Sequence, residues 1–135
     1  MNTIRYAGKS DLALLSEYDA HVSPEELETL TGLGRVLILE DAQGFAGWLR
    51  YNLFWDNTPF LNMLYILEGR RGQGLGGELT EFWEAEMRAQ GYDRVLTSSQ
   101  ADERGQFFYR KHGYVDCGSL LLPGEPLEII FLKDL

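Results

Sequence analysis

Apolar positions along the chain change period several times, and each change marks an element. Leu12, Leu15 and Tyr18 recur at helical spacing behind Ser10, which can cap a helix. Ser23-Pro24-Glu25-Glu26 opens a second helix. Ser23 is its cap, Pro24 takes the first helical position, where a missing N–H costs nothing, and Glu26 completes a capping box. Gly32 and Gly34 end it. The period then shortens. Val36-Leu37-Ile38-Leu39, inside residues 35–41, reads as a buried strand, and residues 45–55 read as its antiparallel partner across an Ala42-Gln43-Gly44 turn. Asp56-Asn57-Thr58-Pro59 is a second turn before a third apolar run, residues 60–67. Leu75, Leu79, Phe82, Trp83 and Met87 return to helical spacing as far as Gly91. Residues 94–99 form a strand. Residues 102–112 form a short helix bearing Phe107 and Phe108, ended by Gly113. Residues 114–122 and 127–132 are two last strands around Pro123-Gly124. With a short first strand at residues 4–7, the order β-α-α-β-β-β-α-β-α-β-β predicts a mixed sheet with helices, in the α/β or α+β class.

Composition narrows this picture more than it adds to it. The 135 residues suit one domain, 1–135, and 44% hydrophobic residues suffice for a packed interior. The net charge of −9 argues against nucleic acid, whose phosphates ask for a basic surface. Cys117 is the single cysteine, so neither an intrachain disulfide nor a cysteine-based zinc site is available. The first ten residues carry Arg5 and Lys9 and no apolar core of a signal peptide, and no apolar run is long enough to span a bilayer. The expectation is a cytoplasmic protein with no membrane attachment.

One segment carries the candidate chemistry. Arg71-Gly72-Gln73-Gly74-Leu75-Gly76-Gly77 lies between the third apolar run and the amphipathic helix. A glycine-rich turn that opens a helix leaves several N–H groups unpaired and aimed one way, at the positive end of the helix dipole, and so forms a seat for phosphate. Three kinds of phosphate loop compete for this reading. Gly72, Gly74 and Gly77 satisfy G-x-G-x-x-G, but the following strand ends in Thr97-Ser98-Ser99-Gln100, without the carboxylate that a dinucleotide site places there. A Walker loop needs Gly-Lys-Ser/Thr, which is absent from the run.

The third reading rests on two blocks. Arg71-Gly72-x-Gly74-x-Gly76 after an apolar strand resembles the acyl-CoA loop, R/Q-x-x-G-x-G/A, of the GNAT superfamily of N-acyltransferases. Asp102-Glu103-Arg104-Gly105-Gln106-Phe107-Phe108-Tyr109-Arg110-Lys111-His112-Gly113-Tyr114 resembles that family's N-x-x-A-x-x-F-Y-x-x-x-G-F segment, with Asp102 in place of the usual Asn and Gly105 in place of the usual Ala. An ionised Asp accepts hydrogen bonds but cannot donate them. One helix and one strand separate the blocks, and the whole element order matches the family's. The resemblance implies a mixed, mostly antiparallel sheet with a splayed central strand pair, flanked by about four helices.

It further implies an N-acetyltransferase that passes an acetyl group from acetyl-CoA to the amine of a small molecule or peptide, by direct attack in a ternary complex and with no metal. The N–H groups from Arg71 to Gly76, including those of Gly72, Gln73, Gly74 and Leu75, would hold the pyrophosphate. Arg71 would add a cation, and Arg70 is a second basic residue beside it. Leu64, Tyr65 and Ile66 would face the pantetheine arm, with a backbone N–H near Ile66 polarising the thioester carbonyl. Asp102 would contact the cofactor. Tyr109 would protonate the departing thiolate, while His112 and Tyr114 read as structural. For the base that takes the amine's proton, Asn62 (through a water), Glu40, Ser98 and Glu128 stay open. Trp48, Tyr51, Phe54 and Trp55 would border the acceptor or pack in the core, and the aromatics near Trp55 are compatible with a homodimer. Cys117 reads as buried packing. A non-catalytic acyl-CoA-binding module, a sensor or structural dimer, is the competing function.

Overall fold

The computed structural model describes residues 2–135. Strands β1 (Thr3–Tyr6), β2 (Val36–Asp41), β3 (Gly44–Phe54), β4 (Thr58–Ile66), β5 (Arg94–Gln100), β6 (Val115–Leu120) and β7 (Glu128–Asp134) alternate with helices α1 (Leu12–Tyr18), α2 (Pro24–Gly32), α3 (Leu75–Ala89) and α4 (Gly105–Lys111), in the order the periodicity predicts. The strands form one seven-stranded sheet ordered β1-β2-β3-β4-β5-β7-β6. The β1–β2, β2–β3, β5–β7 and β6–β7 pairings are antiparallel. β4 and β5 are parallel, and their register covers only Phe60↔Leu96 and Leu61↔Thr97, the short contact of a splayed central pair. No helix among the described residues is long and apolar enough to cross a membrane.

The chain divides into two compact units, residues 1–52 with 63–83 and residues 53–62 with 84–135. In the first, Ala7, Leu15, Leu27, Leu30, Val36, Ile38 and Trp48 form a core beneath α1 and α2. A bulge in β3 shapes it: Leu39 pairs with Gly47 but Glu40 with Phe45, leaving Ala46 as the extra residue and turning Phe45 toward the face that Trp48 occupies. The Phe45 ring stacks 6.0 Å from that of Trp48. In the second, Val95, Thr97 and Ser99 occupy alternate, buried positions of β5, and Phe131 of β7 stands opposite Thr97.

Three local expectations change and one holds. Ser10 is not the helix cap. Residues 9–11 form a 3-10 turn, and the Asp11 carboxylate accepts the Gly8 N–H at 2.8 Å while also binding Arg5 at 2.8 Å. A carboxylate that also anchors an arginine outcompetes a serine hydroxyl for that place. Ser23 does cap α2, accepting the Glu26 N–H at 3.1 Å. The turn after β3 falls on Trp55 and Asp56, both left-handed at φ 56° and 64°, so Pro59 lies inside β4. Cys117 is exposed rather than buried, at the register shift between Asp116 and Gly118 in β6. Partial desolvation and the Asp116 carboxylate push its thiol pKa up, the wrong direction for a nucleophile.

Candidate active site

The glycine run folds as a bare turn. β4 ends at Ile66, residues 68–70 make a 3-10 turn, and Gly72 and Gly74 follow at φ +81° and +78°. A side chain at either position would strain the backbone, although open space surrounds each glycine. α3 then starts at Leu75, whose buried side chain anchors the first turn, and its first closing bond runs from Glu78 N–H to the Gly74 carbonyl at 3.1 Å. The N–H groups of residues 72–77 donate to no acceptor among the described residues. They lie at the positive end of a 15-residue helix, the geometry that binds phosphate oxygens.

The two arginines beside the turn are held differently. Arg70 is committed to the β2–β3 hairpin, donating to Gln43 Oε1 at 3.1 Å and to the Phe45 carbonyl at 2.9 Å and lying 3.4 Å from Asp41. It is a structural tie. Arg71 donates only its Nε, to the Ile66 carbonyl at 2.9 Å, and lays its guanidinium 5.0 Å from the centre of the Tyr65 ring. Its terminal nitrogens have no partner among the described residues, so Arg71 is braced yet retains donors for an anion.

Tyr65 and Ile66 are themselves fixed from behind. The Tyr65 ring lies 5.1 Å from that of Trp48. Gly47 passes so close that a Cβ there would come within 2.5 Å of the Tyr65 carbonyl oxygen and 2.7 Å of Ile66 Cδ1. Trp48 is held in turn by a buried charge cluster. Asp19, 2% exposed, accepts from Trp48 Nε1 at 3.0 Å and from Arg50 Nε at 2.6 Å. Burial pushes the Asp19 carboxyl pKa up, but the bonds and charge of Arg50, with Trp48 Nε1 and the His21 N–H, bring it net below the ordinary value. Trp48 and Tyr51 are therefore core residues, Tyr51 packing 5.7 Å from the Trp83 ring, whereas Phe54 is exposed and Trp55 is 78% exposed.

Tyr109 belongs to the second unit and is built on other terms. It is 7% exposed, on α4, with its ring 5.3 Å from Phe108, 5.5 Å from Tyr114 and 6.0 Å from Phe131. Burial pushes its pKa up to about 12, with the charge of Glu103 adding to the rise and the Thr97 hydroxyl opposing it. The phenol is thus protonated throughout the physiological range. Tyr114 donates to Glu84 Oε2 at 2.7 Å, with Lys133 on the other carboxylate oxygen at 2.9 Å, and His112 Nδ1 lies 2.8 Å from the Phe108 carbonyl oxygen. Both side chains are thereby tied to neighbouring groups. Asp102 is exposed and makes no hydrogen bond among the described residues, while the turn around it is clamped by Gln106, which donates to the carbonyls of Ala101 at 2.8 Å and Glu103 at 2.9 Å.

The base candidates are held in different settings. Glu40 is bound by Arg5 Nε at 3.0 Å, Asn62 is exposed in β4, Ser98 sits opposite Ile130, and Glu128 begins β7 opposite Gln100. The residues missed in the sequence are Gly47, Gln106 and Thr97. Only Thr97 left a signal there: Val95, Thr97 and Ser99 share one face of a strand, and two hydroxyls on a face that must be buried need partners.

The profile of the family described as "Acetyltransferase (GNAT) domain" matches residues 32–116, a span that contains both the glycine turn and the Asp102–Tyr114 block. No curated protein matches the chain closely in sequence. Among solved structures, the ribosomal-protein-S18-alanine N-acetyltransferase of Escherichia coli is similar with a TM-score of 0.80 at 20% identity, covering 99% of this chain and 94% of that one. PaiA N-acetyltransferase of Thermoplasma acidophilum, in complex with coenzyme A, gives 0.82 at 18% identity over 100% and 99% of the two chains. Ard1 of Thermoplasma volcanium gives 0.84 at 15% identity over 99% and 97%. These identities establish a shared fold.

Proposed function

The chain belongs to the GNAT family of acetyltransferases, and from that premise we propose that it transfers acetyl from acetyl-CoA to an amine of a small molecule or peptide, both substrates being bound together. The observation that carries the donor half is the run of unpaired N–H groups at residues 72–77, opening α3 behind two left-handed glycines. These groups take the pyrophosphate, and the free end of the Arg71 guanidinium adds charge-assisted bonds. The end of β4, Leu64-Tyr65-Ile66, aligns the pantetheine arm, and the backbone there polarises the thioester carbonyl. Asp102, exposed beside α4, is a further cofactor contact. Two N-acetyltransferases among the similar structures, one of them with coenzyme A bound, support this use of the fold.

Tyr109 supplies the proton that the departing thiolate needs. A phenol with pKa about 12 is a complete donor at neutral pH, and a hydrogen bond that strengthens as negative charge grows on sulfur acts in the transition state. Holding amine and thioester together contributes the proximity term. The net charge of −9 favours a cationic amine over nucleic acid as acceptor.

The test is thiol release from acetyl-CoA across a panel of small amines and peptides with free amino groups. Amine-dependent release is the expected result. Coenzyme A binding without turnover on any amine makes the chain a binding module, and absence of binding removes the donor reading as well.

A further inference from the structure

We propose that Tyr65 is the positioning residue for Arg71: its ring, backed by Trp48, holds the guanidinium in place before any ligand arrives and leaves the terminal nitrogens for a phosphate of the donor. The inference rests on the reading of the glycine turn as the pyrophosphate seat.

The chain carries 21 acidic residues against 12 basic ones. Arg5, Arg50, Arg70, Arg94 and Arg110 each meet a carboxylate, at distances between 2.6 and 3.9 Å. Arg71 meets none among the described residues. It takes two neutral supports instead. The Ile66 carbonyl accepts from its Nε at 2.9 Å, and its guanidinium carbon stands 5.0 Å over the centre of the Tyr65 ring. The negative face of the ring attracts the cation without cancelling its charge. A guanidinium holds five N–H donors in one plane, so a bond at Nε leaves the two terminal nitrogens, the edge that pairs with two oxygens of one phosphate.

The support is rigid because three successive residues of β3 fix the segment that carries it. Ala46 accepts the Leu67 N–H at 2.8 Å. Gly47 admits the Tyr65 and Ile66 backbone at a distance that a Cβ would close. Trp48 takes the Tyr65 ring at 5.1 Å, and is itself 1% exposed and tied through Nε1 to Asp19 at 3.0 Å. Arg50 anchors that carboxylate from the same strand. Every residue in this succession, from Asp19 to Arg71, lies in the first compact unit.

A long side chain loses rotamer freedom when it closes on an anion, and one already held loses less at that moment. A carboxylate could hold Arg71 too, but it would compete with the phosphate for the same donors. An aromatic face does not compete. Tyr65 is 40% exposed, so the ring supports the guanidinium without closing it in. The ring and not the hydroxyl does this work, which separates phenylalanine from an aliphatic residue at position 65.

The experiment measures coenzyme A affinity by calorimetry in wild type, Tyr65→Leu, Tyr65→Phe, Arg71→Ala and the Tyr65→Leu/Arg71→Ala pair. Arg71→Ala is expected to weaken binding about thirtyfold, the scale of lost charge-assisted bonds. Tyr65→Leu should weaken it about fivefold, and Tyr65→Phe should restore it to within about twofold of wild type. On the Arg71→Ala background Tyr65→Leu should cost less than about twofold, because the group it positions is gone. Equal loss on both backgrounds would assign the ring to the pantetheine arm alone and overturn the proposal, as would a Tyr65→Phe loss as large as that of Tyr65→Leu. Unchanged affinity in Arg71→Ala would also overturn it, whereas wild-type protein that binds no coenzyme A would refute the donor reading itself. A second readout needs no ligand. The Nε–H resonance that disappears in Arg71→Ala should move in Tyr65→Leu, which removes the ring current, and keep its place in Tyr65→Phe. An Arg71 resonance indifferent to Tyr65→Leu would overturn the contact.

Discussion

The turn at residues 71–76 and the pocket around Tyr109 solve opposite problems. The turn keeps its donors unpaired: glycines at positive φ, N–H groups facing outward, and an arginine braced by its Nε alone. The pocket closes its side chains in: three aromatic rings stand around that of Tyr109, and the Thr97 hydroxyl is donated to the Leu61 carbonyl. Binding a ready-made dianion needs donors that have not been spent. Moving one proton on cue needs a proton whose position is already decided. Exposure serves the first and burial the second, and the two sites should therefore fail in different ways when altered.

The largest expected effect is in the pocket. Tyr109→Phe should lower kcat by about a hundredfold, the scale of one positioned proton donor, while leaving acetyl-CoA affinity within about twofold. Steady-state kinetics beside calorimetric binding would read both. Equal loss in the two would make Tyr109 a packing residue and erase the contrast.

Gly74→Val should give the opposite signature. Valine at φ +78° is strained, and its branched side chain enters the cradle. Acetyl-CoA affinity should fall by about thirtyfold, with kcat at saturation much less affected. Unchanged affinity would detach the turn from the pyrophosphate.

The smallest effect tests whether burial, rather than the unit a residue belongs to, sets its chemistry. Asp19 shares a unit with the exposed turn but is saturated by Arg50, Trp48 and the His21 N–H. Asp19→Asn should cost about 1–2 kcal/mol at neutral pH, the scale of a hydrogen bond to a charged group. Because the folded carboxyl pKa lies below the unfolded value near 3.9, its stabilisation is present above about pH 4 and lost as pH falls through the folded pKa. Melting temperatures of wild type and variant should therefore converge on acidification. A gap that persists in acid would mean that packing, not charge, holds the cluster.

How legible each part was follows from how local its physics is. The order of elements was readable because each segment carries its own period, cap or turn chemistry. Ser23-Pro24 starts α2 and the glycine run starts α3 without help from elsewhere. Ser10 failed because Arg5, on a neighbouring strand, commits Asp11 to the same turn. The order β5-β7-β6 also lay beyond local pattern. The two last strands compete for the inner place, and β7 takes it with Ile129, Ile130 and Phe131, while β6, with Asp116, Gly118 and Ser119, is exposed along its length. Cys117 went outward with it.

The sequence alone determined the class of elements, the glycine turn and, through two spaced motifs, the family, because backbone dihedrals and helix termini depend on residues a few positions apart. Tertiary structure decided that Arg71 and not Arg70 retains free donors, that Gly47 must lack a side chain where Tyr65 and Ile66 pass, and that the Thr97 hydroxyl serves the Leu61 carbonyl where β4 leaves β5. Each of these depends on what a fold brings within about 3 Å from distant parts of the chain, and no local pattern carries that information.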